Sequence, residues 1–236
     1  MDFLRRPVFV FDLFHTLSSL YHSGVGGPDT HELLGVDRDR YLRGLFERSE
    51  QRLRGRIRSD VAIIRDIAVG CGVTIGEKRL AEIAKLRRRR FAESLRRIAP
   101  PTLDALDALT RTGKRLALIS NADALEAAGW SRSPLADRFE TAIFSCDVGL
   151  RKPEEEIYLL CAQRMGVSAG DCVFVGDGGS NELAGARAVG MAAVCTTELT
   201  ADLWPEKTRE RRREADMTVD SLYELAIRTA EAARTS

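Results

Sequence analysis

The feature that most constrains this chain is a set of short apolar runs, each ending at a polar or small residue. They are VFVFD (8–12), RLALISN (115–121), ETAIFSC (140–146), CVFVGD (172–177) and AAVCTT (192–197), with ADMTVDS (215–221) as a short sixth. Continuous rather than alternating apolar runs of this length predict strands buried on both faces. Helical patterns lie between them. TLDALDALTRTG closes on Gly113, PEEEIYLLCAQRMG opens with Pro153 and closes on Gly166, and NELAGARAVG closes on Gly190. Strands alternating with such helices predict an α/β fold with a parallel, doubly wound, Rossmann-like sheet. Ligands of such sheets bind at the carboxyl ends of the strands.

Residues 18–99 break the alternation and contain no strand-like run. VDRDRYLRGLFERSEQRLRGRI carries Leu42, Leu45, Phe46, Leu53 and Ile57 at helical spacing behind a cap at Asp37. SDVAIIRDIAVG and EKRLAEIAKLRRRRFAESLRRIA add two more helices. The expected organisation is a core of residues 1–17 and 100–236 with an all-helical insertion, 18–99, after the first strand. SGVGGP (23–28) and APP (99–101) mark its hinges. SGVGG lacks the Lys and Ser/Thr of a phosphate-binding P-loop and reads as a joint. The insertion is rich in arginine: Arg52, Arg54, Arg56, Arg58, Arg87 to Arg90, Arg96 and Arg97. These charges spread around several helix faces within reach of Glu82 and Glu93, so most are expected on a solvated face.

With 36 basic and 35 acidic residues the net charge is +1, which implies no general field for nucleic acid or membrane. Five cysteines with no CxxC pair argue for reduced thiols. MDFLRRPVFVFDLF superficially looks like a signal peptide, but Asp12 interrupts it and no small-residue cleavage pattern follows. No run approaches the ~20 apolar residues of a bilayer span. A cytoplasmic protein acting on a small, anionic molecule, without nucleic-acid or membrane partners, is expected. Oligomeric state is left open. The basic run TRERRREAD (208–216) reads as a surface helix, and Trp130 and Trp204 as packing residues.

The polar residues at the strand ends are Asp12, Thr16, Ser120, Asn121 and Asp177, with Lys152 just beyond the third strand. In a doubly wound sheet they converge on one crevice. A carboxylate such as Asp12 can form a covalent intermediate by attacking phosphorus or an activated carbon. Lys152 and Ser120 would hold the negative charge of the reacting group. Asp177 beside Asp12 offers two hard oxygen ligands for magnesium.

On FDLFHTL, ALISNA, GLRKPEEEIY and VFVGDGGSNELAGARAVGM the chain resembles the haloacid dehalogenase superfamily, over nearly its whole length. The resemblance implies Asp12 as nucleophile with Thr16 in the same motif, Ser120 as phosphate ligand and Lys152 as the third-motif lysine. It implies Asp177 as metal ligand and Glu182 as the second acidic residue, and it makes the helical insertion a small cap domain. Thr16 and Asn121 would orient the site, and Phe14 and His15 would stand beside the substrate.

Phosphatases of this family usually carry Asp-x-Asp in the first motif, the second Asp being the general acid. Here that residue is Phe14, whose backbone carbonyl remains available to magnesium. General acid catalysis is worth ~10²–10⁴-fold, so alkyl phosphates should react slowly and aryl or acyl phosphates should suffer little. His15 is adjacent and able to give a proton, although histidines in such loops are more often packed. Dehalogenases resemble this chain in having an aromatic residue at position 14 and in the placement of Tyr158. They generally lack a carboxylate at the place of Asp177, because a second negative charge there serves no purpose without a cation. Magnesium-dependent phosphoryl hydrolysis is therefore the expected activity. Metal-free 2-haloacid dehalogenation and a binding protein that has lost turnover are the alternatives.

Overall fold

The computed structural model describes residues 2–234. Six strands, β1 (Val8–Phe11), β2 (Arg115–Ser120), β3 (Thr141–Phe144), β4 (Cys172–Gly176), β5 (Ala192–Thr196) and β6 (Met217–Val219), form one sheet in the order β3-β2-β1-β4-β5-β6. Every pairing is parallel, as the unbroken apolar runs require. The order reverses at β1, whose Phe11 lies in register with Leu118 on one side and Val175 on the other. The ends of β1, β2 and β4 are therefore neighbours at the switch point.

Between β1 and β2 stand α1 (Thr30–Leu34), α2 (Arg38–Glu47), α3 (Ser49–Leu53), α4 (Asp60–Gly70) and α5 (Glu77–Arg96). The later helices are α6 (Pro100–Arg111), α7 (Ala124–Ala127), α8 (Ser145–Val148), α9 (Glu155–Arg164), α10 (Glu182–Ala188), α11 (Pro205–Arg211) and α12 (Leu222–Arg234). Side chains alternate across each strand. Phe9, Phe11, Leu116 and Leu118 pack under α6 and α12. Val8, Val10, Ala117 and Ile119 pack under α9 and α10. The helices of the insertion enclose an apolar cluster of their own around Ile63, Ile64, Ile67, Leu80 and Ile83. There α2 and α4 touch backbone to backbone, since a Cβ on Gly44 would lie 2.5 Å from the Gly70 carbonyl carbon. No described helix is long and apolar enough to cross a membrane.

Several sequence expectations change. The helix expected to run from Asp37 to Ile57 starts where predicted, with the Asp37 side chain accepting from Arg40 N, but breaks at Arg48 into α2 and α3. Its apolar stripe is not wholly a core stripe, because Phe46 is 67% exposed. Pro100 and Pro101 begin α6 rather than form a joint, at positions where a helix needs no N–H. Pro153 precedes α9 by two residues instead of opening it. Two of the arginines leave the solvated face expected for most of them. Arg52 is buried against Asp66, and Arg87 is buried with Glu126 at 2.5 Å, Tyr41 at 2.9 Å and Thr30 at 3.2 Å. Others on exposed faces pair with Glu82 and Glu93 as the spacing suggests.

Candidate active site

Asp12 is the first residue past β1 and remains in the ladder, its N–H donating to Val175 O at 2.9 Å. This fixes its carboxylate at the sheet rim, 5% exposed. Thr16 Oγ1 donates to Asp12 Oδ2 at 3.0 Å, and Lys152 Nζ donates to Asp12 Oδ1. The same ammonium donates to Glu182 Oε2 at 2.5 Å. Glu182 Oε1 accepts from Gly178 N at 3.0 Å, which ties the start of α10 to the loop after β4. Asp177 Oδ1 accepts from Gly179 N at 3.0 Å. Asn121 bonds to both backbone polar groups of Lys152. Tyr158 lies under the cluster, its hydroxyl donating to Glu182 O at 2.8 Å.

The electrostatics follow from three carboxylates in one dry place. Asp12, Asp177 and Glu182 each offer an oxygen within 4.8 Å of the others. Burial, and then the Asp12 charge, hold the Glu182 carboxyl well above its ordinary range and raise Asp177 as well. Burial opposes the charge on Lys152, yet Asp12 and Glu182 outweigh it and push the ammonium upward. The neighbouring carboxylates add their repulsion to the larger effect of burial. Hard oxygen donors grouped in this way fit a small divalent cation such as magnesium. The Ser120 hydroxyl, at the end of β2, is fully buried without a hydrogen-bond partner.

A cleft of about 640 Å³ opens over this cluster. Asp12, Lys152 and Asp177 form its floor, and Leu42, Leu45, Phe46 and Leu53 of the insertion form part of its wall. Ser120 and Thr16 stand behind the floor rather than on it. Phe14 points its ring at Phe91 of α5, edge to face with centroids 5.5 Å apart, and so ties the loop after β1 to the insertion. His15 has φ +66°, in the left-handed region. Its ring stacks on Tyr21 at 6.0 Å and meets Trp204 edge-on at 4.9 Å. Burial pushes its imidazole below the usual value, and its Nδ1 has no partner.

Sequence reasoning missed two contributors. Trp130 is a packing residue between Phe139 and Phe144 as expected, but Trp204 lines the cleft beside His15. The basic run at 208–216 is not entirely a surface feature, because Arg211 donates to Asp177 Oδ2 at 2.5 Å. A run of like charges gives no local sign of which member turns inward.

A family model described as haloacid dehalogenase-like hydrolase matches residues 9–190. The chain is 28% identical over 194 residues to bifunctional epoxide hydrolase 2 of Rattus norvegicus, covering 74% of this chain and 33% of that protein. It is 28% identical over 131 residues to ribulose-1,5-bisphosphate 5-phosphatase of Halopiger xanaduensis, covering 54% of this chain and 55% of that protein. The chain thus spans only a third to about half the length of these curated relatives. Among solved structures it is similar to the L-2-haloacid dehalogenase of Xanthobacter autotrophicus, with a TM-score of 0.65, 19% identity, and coverage of 94% of this chain and 97% of that one.

Proposed function

The chain belongs to the haloacid dehalogenase-like hydrolases, and from that premise we propose that it is a magnesium-dependent phosphohydrolase working through an aspartyl-phosphate on Asp12. The observation that carries this reading is the trio Asp12, Asp177 and Glu182 with oxygens within 4.8 Å and two of its carboxyls raised. A site for a neutral carbon–halogen bond has no use for that much negative charge, whereas a cation-bound phosphate does. Asp12, Asp177, Glu182 and the Phe14 carbonyl would hold the ion, which supplies charge neutralisation to the transferred group.

An Asp12 oxygen attacks phosphorus in line, and the bond to the leaving oxygen breaks with its electron pair. Lys152 pairs with Asp12 and faces the charge on the phosphoryl oxygens. Water then attacks the phosphorus of the acyl phosphate, releasing inorganic phosphate and restoring Asp12. Phe14 gives the departing oxygen no proton, so the fitting substrates are aryl or acyl phosphates, small anionic molecules held between floor and wall. Residues 18–99 act as the cap that closes over them and excludes water. The five buried free cysteines fit a reducing cytosol.

The second reading, 2-haloacid dehalogenation without metal, is favoured by the aromatic Phe14 and by Arg211 and Lys152, which between them pair with all three carboxylates. One experiment separates them. A panel of aryl, acyl and sugar phosphates and 2-haloacids is assayed with magnesium and with chelator. Phosphate release that chelator abolishes supports the proposal, and halide release that survives chelator overturns it.

A further inference from the structure

We propose that Arg211 is a built-in rival of the divalent cation for Asp177, so that binding of the ion displaces this guanidinium into the cleft. The inference rests on the metal-dependent reading above and adds a residue which that reading does not use.

Both oxygens of Asp177 are already engaged, Oδ1 by Gly179 N at 3.0 Å and Oδ2 by Arg211 at 2.5 Å. The same guanidinium nitrogen lies 3.4 Å from the Asp177 carbonyl. A magnesium ion bonds a carboxylate oxygen at about 2.1 Å, so on Oδ2 it would crowd a cation already there. The two cations that compensate the carboxylates differ in freedom. Lys152 is 2% exposed and bonded to Asp12 and Glu182 together, whereas Arg211 is 22% exposed and borders the cleft. Only the second has somewhere to go. The charge count agrees. Three carboxylates are balanced by Lys152 plus a divalent ion, but Lys152 plus Arg211 leave one negative charge uncompensated.

The stem of Arg211 rests on Gly178, where a Cβ would come within 2.7 Å of the arginine Cβ and where φ is +82°. At the opposite end of α11, Trp204 meets His15 at 4.9 Å. This short helix thus spans from the loop carrying Asp12 to the loop carrying Asp177. Release of Arg211 frees one attachment of this helix, and Trp204 registers the change.

The test uses the whole chain in a Trp130→Phe background, so that Trp204 is the only indole. Magnesium affinity is measured calorimetrically for this parent and for Arg211→Gln, alongside tryptophan emission. We expect Arg211→Gln to bind magnesium at least about tenfold tighter, in the range by which neighbours of a metal ligand alter affinity. Magnesium should change emission in the parent and not in the variant. A variant that binds magnesium equally or more weakly, with an unchanged far-ultraviolet spectrum, overturns the proposal and leaves the metal reading standing. If neither protein binds magnesium, both fall. Should Arg211→Gln not fold, Arg211→Met carries the same test, because it removes the cation and keeps an unbranched stem, and must bind magnesium more tightly than the parent.

Discussion

Asn121 grips the backbone of Lys152 from both sides: its Oδ1 accepts from Lys152 N at 2.8 Å and its Nδ2 donates to Lys152 O at 2.9 Å. An amide at the end of β2 thereby sets where the ammonium of a distant loop stands. Asn121→Ala removes both bonds. Displacing a catalytic group by about 1 Å can cost about 10²-fold in rate, and a loss of roughly that size is expected in kcat. Asn121→Asp, which keeps the acceptor and loses the donor, should fall between. Initial rates on an aryl phosphate, with melting curves, check both.

Lys152→Met tests the charge balance. It leaves Asp12 and Glu182 buried without their shared counter-ion, and breaking a buried pair in this way costs about 3–5 kcal/mol. Because the Glu182 carboxyl is held far above its ordinary range and Asp177 is raised, the sign is definite. Acids whose folded values are raised destabilise the fold as rising pH ionises them, so the variant should recover stability as pH falls. Urea melts at a series of pH values measure this, and a variant less stable at low pH would contradict it.

Most of this geometry was legible from the sequence. Strands buried on both faces must be unbroken apolar runs, so all six could be found; Asp12 and Asp177 followed from where those runs end, Lys152 from its place just beyond the third, and Glu182 from the family resemblance. What was not legible depends on partners far along the chain. Arg52 and Arg87 are buried because Asp66, 14 residues on, and Glu126, 39 residues on, meet them. Arg211 reaches Asp177 over 34 residues, through a chain reversal after β5 that no local pattern encodes. Phe46 reads as core on helical spacing, but the stripe it belongs to, with Leu42, Leu45 and Leu53, lines the cleft.

Phe14→Asp should change selectivity. Restoring an acid at this place offers a proton to a poor leaving group, worth up to ~10²–10⁴-fold. We expect kcat/KM for an alkyl phosphate to rise while that for p-nitrophenyl phosphate changes little. The edge contact with Phe91 is lost, at a cost of about 0.5–1.5 kcal/mol beyond lost burial. An unchanged ratio between the two substrates would mean the loop does not present position 14 to the leaving oxygen.

Glu126 should leave a mark on stability against pH. Burial and neighbouring Asp123 push its carboxyl up to about 7, against the pull of Arg87. Arg52 also faces it, and the Tyr41 hydroxyl sits on the same guanidinium. With the folded value raised, its contribution is present below the ordinary carboxyl value and is lost as pH climbs through 7, on the order of 3 kcal/mol. Glu126→Gln should flatten that part of the profile. A slope identical to the parent's in denaturant midpoints from pH 4 to 8 would rule it out.

Arg54 reaches from the end of α3 to Gly149 O at 2.8 Å and to the Glu154 carboxylate, while Arg58 reaches Asp147 at 2.7 Å and the Cys146 carbonyl. Both ends of this fastening lie near water, within range of dissolved ions. The inserted helices are thus moored by tethers that brine can slacken, so, with these helices acting as the proposed cap, ionic strength should set how long a bound molecule stays enclosed, even where the reacting atoms feel no salt at all.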